Sequence, residues 1–146
     1  MNATRRQARE WAIQMLTAAD LNPPEDMDAF LAAGWEQLGS LDEDEEAGGP
    51  PRGKLKAFAE ERVRGVIGRV AAIDAQLAPL MENWDISRLG TVERAVLRMG
   101  AWELANTDIP KAVVINEAID LANWFSSPKS RTLVNGILDR LSKSRA

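Results

Sequence analysis

Helical periodicity is the property of this sequence that most restricts its fold. Apolar residues recur at spacings of three and four along almost the whole chain, and no stretch shows the sustained alternation of a half-buried strand. The 146 residues are enough to bury a core within one domain. The sequence therefore predicts an all-α fold of six or seven helices in two small packed bundles, with residues 1–146 as a single domain.

Capping residues and prolines predict where several helices begin and end. The first helix is expected over about 4–19, because the two prolines that follow cannot continue it. Asp26 and Thr91 each stand where a side-chain oxygen can cap a helix start. Pro110 and Pro128 each suit the first position of a later helix, where no backbone N–H is needed.

A single long helix is predicted over about 54–80, since its apolar stripe continues without a break. Gly65 and Gly68 lower the helix propensity of this stretch. We interpret these two glycines as the site of a close contact with another helix.

Residues 39–53 interrupt the helical pattern. Five consecutive acidic residues occupy positions 42–46, with Gly39 before them and two glycines and two prolines at 48–51 after them. Like charges in such a run repel one another and cannot pack, so we predict a flexible, solvated acidic loop. A role for this loop in recognising a partner stays open as an alternative.

Positive charge is concentrated at the two ends of an acidic chain. The net charge is −4, but residues 1–10 carry +2 and residues 128–146 carry +4, which leaves −10 between them. Arg5, Arg6 and Arg9 stand at a helix start, where the helix dipole disfavours cations. This segregation favours a local binding site for a polyanion, although the arginines could instead only solvate the helix start.

The residues that the chain lacks exclude several kinds of chemistry. It contains neither cysteine nor histidine, so disulfides, thiolate nucleophiles, histidine-based triads and imidazole metal sites are impossible. No glycine-rich phosphate loop follows a strand, and the apolar runs are far too short to span a membrane. We therefore expect a cytoplasmic protein that is not an enzyme and uses no cofactor or metal.

Four motifs along the chain together resemble one known family, the transcription antitermination factors called NusB. The resemblance covers nearly the whole chain and is weak only over about residues 20–53. Each motif alone is modest, but their order, their spacing and the length of the chain all agree with the family. The motifs are Arg5-Arg6-x-Ala8-Arg9-Glu10, Val92-Glu93-Arg94-Ala95-Val96-Leu97-Arg98-Met99-Gly100, Ile109-Pro110-x-x-Val113-Val114-Ile115-Asn116-Glu117-Ala118-Ile119-Asp120-Leu121-Ala122 and Val134-Asn135-Gly136-Ile137-Leu138-Asp139.

The resemblance implies an RNA-binding adaptor. Members of the family bind the boxA segment of nascent RNA, and guanidinium groups suit the phosphates and base edges of a single strand. The family's arginine-rich start is its RNA element, which agrees with the charge argument made from the residues alone. The RNA-binding residues expected here are Arg5, Arg6 and Arg9, onto which the family's RNA element maps, together with Lys129, Ser130 and Arg131 near the other end of the chain.

The resemblance also implies protein partners. Family members pair with NusE, a small-subunit ribosomal protein, within an RNA polymerase complex that supports antitermination on ribosomal RNA operons. Some members self-associate, so a homodimer of this chain stays open as an alternative. The partner-binding residues expected here are Glu93, Arg94 and Thr17.

Several positions depart from the family pattern. Ser126 replaces a usual glycine, Lys129 replaces a common acidic residue, and Leu133 and Thr17 each replace an aromatic. Loss of the aromatic at Leu133 removes a stacking surface, whereas Lys129 and Arg131 add phosphate attraction that is blind to sequence. The preferred RNA sequence could therefore have drifted.

Two alternative functions stay open at the level of sequence. One is a protein-interaction module that has lost RNA binding. The other is a domain of an RNA-modifying system, because NusB-like domains also occur fused to RNA methyltransferases. RNA binding that weakens with salt would distinguish the adaptor from the interaction module.

Overall fold

A computed structural model describes residues 4–41, 53–81, 85–125 and 128–144 of the chain. These residues form α-helices and two single-turn 3₁₀ helices, with no strand among them, so the predicted all-α fold is confirmed. The helices are α1 (Arg5–Leu21), α2 (Met27–Leu41), α3 (Gly53–Gly68), α4 (Val70–Leu77), α5 (Thr91–Asn106), α6 (Lys111–Phe125) and α7 (Pro128–Ser144), and the 3₁₀ helices are Ala78–Leu80 and Ile86–Arg88.

The chain divides into two compact units, Met1–Arg64 and Gly65–Ala146, with the boundary inside α3. This division corresponds to the two small bundles that the helical pattern predicts. Most of the acidic loop expected over 39–53 lies outside the described residues. At its edges the prediction was wrong, because α2 continues through residue 41 and α3 already begins at Gly53.

The first unit is built on the buried face of α1. Thr4 caps this helix by accepting a hydrogen bond from the backbone N–H of Gln7 at 3.2 Å. The rings of Trp11 and Trp35 meet edge to face at 5.7 Å, and the Trp35 indole N–H donates to Glu60 at 2.6 Å, joining α2 to α3. The apolar face that helical spacing predicts for α1 is buried and consists of Ala8, Trp11, Ala12, Met15, Leu16 and Ala19.

The long helix predicted over 54–80 is interrupted. α3 ends at Gly68, Arg69 leaves helical geometry with φ −131° and ψ 23°, and α4 then starts at Val70. The spacing of apolar residues continues across this break, because α3 and α4 each carry an apolar stripe. Helical periodicity alone therefore did not predict the break. Gly68 has open space around it and makes no close helix contact.

Gly65 does make the close contact that its sequence context predicts. A Cβ atom on Gly65 would collide with the indole of Trp102 on α5. Only a glycine leaves room for that ring, which is itself buried. The pair thus joins the last turns of α3 to α5 within the second unit.

The second unit surrounds α5, which packs against α4, α6 and α7. Arg98 on α5 donates two hydrogen bonds to Asp74 on α4, at 2.9 and 2.8 Å, and both side chains are largely buried. Most of the circumference of α5 is enclosed. Its buried residues are Ala95, Val96, Leu97, Met99, Gly100, Ala101, Trp102 and Glu103.

Two of the predicted helix starts in the second unit need correction. Gly90 is the N-cap of α5 and Thr91 is its first helical residue, so Thr91 is not the cap. Pro110 lies just before α6, and its carbonyl accepts the first backbone bonds of that helix instead. Pro128 is the first residue of α7, as predicted.

Two surveys of the described residues bear on function. No helix among them combines the length and apolar character needed to cross a membrane. Over the same ranges, no three acidic side chains come together as a group that could hold a metal ion.

Candidate nucleic-acid interface

An arginine cluster surrounds the ring of Phe58 in the first unit. We use this name for Arg5 and Arg9 on α1, and for Arg62 on α3. Their guanidinium carbons lie 5.4, 5.1 and 3.4 Å from the centroid of the Phe58 ring, in that order. Each helix contributes a pair of residues four positions apart, which places both members of the pair on one helix face. The ring and the three cations are therefore fixed by the pairing of α1 with α3.

The members of the arginine cluster differ in their exposure. Arg5 is exposed, whereas Arg9 and Arg62 are only 3% and 1% exposed. A buried guanidinium requires compensation. Arg62 obtains it from the Phe58 carbonyl at 3.1 Å and from the Glu61 carboxylate at 3.2 Å, in addition to the ring face. The cluster thus has a buried floor and an exposed edge.

The structure separates the three arginines predicted at the chain start. Arg5 and Arg6 are exposed on the first turn of α1, where they can meet a ligand. Arg9 points inward and contacts Phe58 instead. A direct RNA contact by Arg9 stays a prediction, since its buried guanidinium would have to reach the surface. Its charge nevertheless adds to the positive potential at the exposed edge.

A second polar site lies between α5 and α7 in the other unit. We call it the α5–α7 pocket, and its volume is about 570 Å³. Charged groups of both signs meet hydroxyl and apolar groups in its wall. The lining residues are Arg88, Leu89, Gly90, Glu93, Lys129, Ser130, Thr132 and Leu133.

A hydrogen bond joins the two sides of the α5–α7 pocket. The buried Ser130 hydroxyl on α7 donates to the half-buried Glu93 carboxylate on α5 at 2.6 Å. Lys129 and Arg131, the neighbours of Ser130, are both exposed. The structure therefore brings a predicted partner residue, Glu93, together with predicted RNA residues. It gives Ser130 a bond within the protein rather than a free surface position.

Arg94, another predicted partner residue, binds the segment before α5. Its guanidinium donates to the carbonyls of Leu89 at 2.6 Å and Ser87 at 3.2 Å, in and just after the second 3₁₀ helix. Asp85 caps that 3₁₀ helix, and the backbone N–H of Ser87 that it accepts lowers the pKa of its carboxyl. The side chain of Arg94 therefore holds one wall of the α5–α7 pocket in place.

Thr17 lies on α1, in the first unit. It is half-buried, and its hydroxyl donates to the carbonyl of Gln14 at 2.8 Å, one turn earlier in the same helix. The three predicted partner residues thus divide between the units, with Glu93 and Arg94 in the second. Of the departures from the family pattern, Ser126 lies outside the described residues.

Sequence reasoning missed Phe58 and Arg62 as members of the site. Both lie in the apolar stripe predicted over about 54–80, and helical periodicity marks such positions only as one face of a helix. An arginine in an apolar stripe, four residues after an aromatic, is the signal that could have indicated a cation–π pair. Their meeting with α1, however, depends on tertiary structure.

The fold and these two sites define a small all-α protein with a cationic cluster and a mixed-charge pocket, arranged for binding macromolecules. Comparison with known proteins identifies its family. The sequence matches the model of the NusB family over residues 6–143. The transcription antitermination protein NusB of a Nitratiruptor species is 37% identical over 141 residues, covering 97% of this chain and 93% of that protein.

Further relatives agree at the level of sequence and structure. NusB of Sorangium cellulosum is 37% identical, covering 96% of this chain and 92% of that protein. The structure of T. maritima NusB is similar with a TM-score of 0.79 at 32% identity, covering 98% of this chain and 93% of that one. A crystal structure of the antitermination factors NusB and NusE in complex with double-stranded RNA gives a TM-score of 0.77 at 25% identity, covering 96% of each chain. The chain belongs to the NusB family.

Proposed function

We propose that this protein is an RNA-binding adaptor in transcription antitermination, which binds boxA-like single-stranded RNA and pairs with NusE on RNA polymerase. The observation that carries the proposal is the arginine cluster formed by α1 and α3, in a chain that belongs to the NusB family. A solved NusB is bound to both NusE and RNA, which supports the same pair of ligands here. The proposal includes no catalytic step, and a role in transcription places the protein in the cytoplasm.

The RNA would meet the exposed edge of the arginine cluster. Arg5 and Arg6 stand at the N-terminus of α1, where the positive end of the helix dipole also favours a phosphate. Arg9 and Arg62 add two further charges beneath the surface. Because phosphate attraction releases counterions, this binding should weaken steeply as salt increases.

The α5–α7 pocket supports the proposed pairing with NusE. Glu93 presents a carboxylate at its wall, and the chain between residues 11 and 127 carries a charge of −10. Ribosomal proteins are commonly basic, so the sign of the long-range attraction is favourable. Lys129 lines the same pocket, and both Lys129 and Arg131 are exposed, so these two side chains would contact phosphates of the bound RNA.

The test is a fluorescence titration of a labelled boxA-like strand at several salt concentrations. We expect replacement of Arg5 and Arg6 by alanine to weaken binding by about 1–3 kcal/mol and to flatten the salt dependence. Arg9 is left intact, because truncation of a buried guanidinium would confuse a loss of binding with a loss of fold.

Arg64→Ala is the matched control for this titration. Arg64 is an exposed arginine of the same unit, paired with Asp28 at 2.6 Å and outside the arginine cluster. Its removal should leave the affinity within about twofold, since exposed ion pairs contribute little. Equal effects of both variants, or no salt-dependent binding by the wild-type protein, would contradict the proposed RNA site. NusE binding without RNA binding would instead favour the interaction module.

A further inference from the structure

We infer that Phe58 is a positioning residue of the RNA site, which holds Arg5 and Arg9 in the arrangement that receives the RNA backbone. This inference rests on the proposed function and extends it to a residue that makes no hydrogen bond with its side chain. The ring has no charge and is half-buried, so nothing in its chemistry alone would direct attention to it.

The geometry around the ring carries the inference. Three guanidinium groups lie within 5.4 Å of one ring centroid, although like charges at such separations repel each other. The face of an aromatic ring carries negative electrostatic potential and attracts cations at these distances. Arg62 stacks at 3.4 Å, and the two arginines of α1 stand at longer range. The ring is therefore a partner that all three cations share, and for Arg62 it acts together with the Glu61 carboxylate.

Preorganisation explains why this arrangement should matter for binding. A free arginine side chain has many rotamers and loses that freedom when it binds a phosphate. Contact with Phe58 restricts Arg5 before the RNA arrives, while its exposed position keeps it available to a ligand. Arg5 has thus already lost part of its side-chain entropy on folding, and RNA binding removes correspondingly less. Loss of the ring should weaken RNA binding even though the ring itself need not contact RNA.

Substitution of Phe58 separates this role from simple packing. Phe58→Leu keeps an apolar side chain and removes the aromatic face, so we expect the Kd for a boxA-like strand to rise roughly three- to tenfold. Phe58→Tyr keeps the face and should stay within about twofold of the wild-type Kd. Phe58→Met serves as a second loss-of-face variant if the leucine variant does not fold.

A double-mutant cycle with Arg5→Ala tests whether Phe58 acts through the arginine. In the Phe58→Leu background, Arg5→Ala should cost much less than it does in the wild-type protein, because Arg5 is no longer held. Additive effects would show that the two residues act independently and would overturn the inference. A merely structural role of Phe58 would lower the melting temperature without producing this coupling.

Phe30→Leu is the matched control. Phe30 is the half-buried phenylalanine of α2 and lines a groove with Gln14 and Met15, outside the arginine cluster. Phe30→Leu should lower the melting temperature about as much as Phe58→Leu does and should leave the affinity for RNA unchanged. Equal losses of affinity for Phe30→Leu and Phe58→Leu would overturn the positioning role. If the wild-type protein does not bind RNA, the proposed function fails first. If the wild-type protein binds RNA and Phe58→Leu binds it with the same affinity, only the present inference fails.

Discussion

At the scale of single residues, Glu93 combines one observed contact with one proposed role. Its half-buried carboxylate accepts the Ser130 hydroxyl at 2.6 Å, and the proposed pairing with NusE gives it a second role toward a basic partner. An internal hydrogen bond fixes the direction of the carboxylate and does not use all its acceptor positions. Both roles are therefore compatible, and they can be separated by removing one at a time.

We expect Glu93→Lys to weaken the pairing with NusE by at least about 1.4 kcal/mol, a tenfold effect. The substitution replaces a carboxylate that attracts a basic partner by a positive charge that repels it. Calorimetric titration with purified NusE measures this affinity. The variant should also lose some stability, since the buried Ser130 hydroxyl loses its acceptor.

Ser130→Ala is the control for the internal bond. It removes the same hydrogen bond but keeps the carboxylate of Glu93, so it should lower the melting temperature and retain NusE affinity. If Glu93→Lys keeps normal affinity and only melts earlier, Glu93 acts within the chain alone and the interface assignment is wrong.

At the scale of elements, the contact between α3 and α5 depends on a missing side chain. Gly65→Ala should destabilise the protein by about 1–3 kcal/mol, because the new methyl group collides with the buried indole of Trp102. Chemical denaturation with a far-UV circular dichroism signal measures the change in the free energy of unfolding.

The neighbouring glycine provides the comparison. Gly68 has open space around it and a φ that is not positive, so Gly68→Ala should be neutral or stabilising by up to about 1 kcal/mol. Similar losses for both substitutions would show that a backbone effect common to the two positions, rather than the collision with the indole, makes Gly65 necessary.

Helix boundaries show how far local sequence reaches. The caps at Thr4 and Asp26 act as hydrogen-bond acceptors for nearby backbone N–H groups, and Pro128 opens α7. Each of these three helix starts depends only on atoms within one helical turn of the named residue. The break at Arg69 was not predicted, because the apolar pattern on its two sides is continuous in phase.

At the scale of the whole molecule, the acidic residues at positions 42–46 should influence charge more than stability. Their replacement by serine takes the net charge from −4 to +1 without changing the length of the chain. We expect a melting temperature within a few degrees of the wild-type value, because a repelling run of like charges contributes no packed core. Differential scanning calorimetry measures it.

The same variant should bind a boxA-like strand up to a fewfold more tightly at low salt, and equally at high salt, where the field of distant charges is screened. A large fall in the melting temperature would show that the segment packs against the folded chain. A loss of NusE affinity at unchanged stability would make it a recognition element for the partner.

The sequence by itself determined the helical class and most of the helices, although not the break at Arg69, because helical periodicity, caps and prolines act over a few residues. It also indicated the proposed polyanion site, since charge segregation is visible along the chain. Tertiary structure decided which of the charges are accessible. Helical phase shows that Arg5 and Arg9 share a face, but the ring that meets them belongs to Phe58, about fifty residues away. The burial of Arg9, and of Ser130 against Glu93, follows from the packing of helices distant in sequence, which no local pattern encodes.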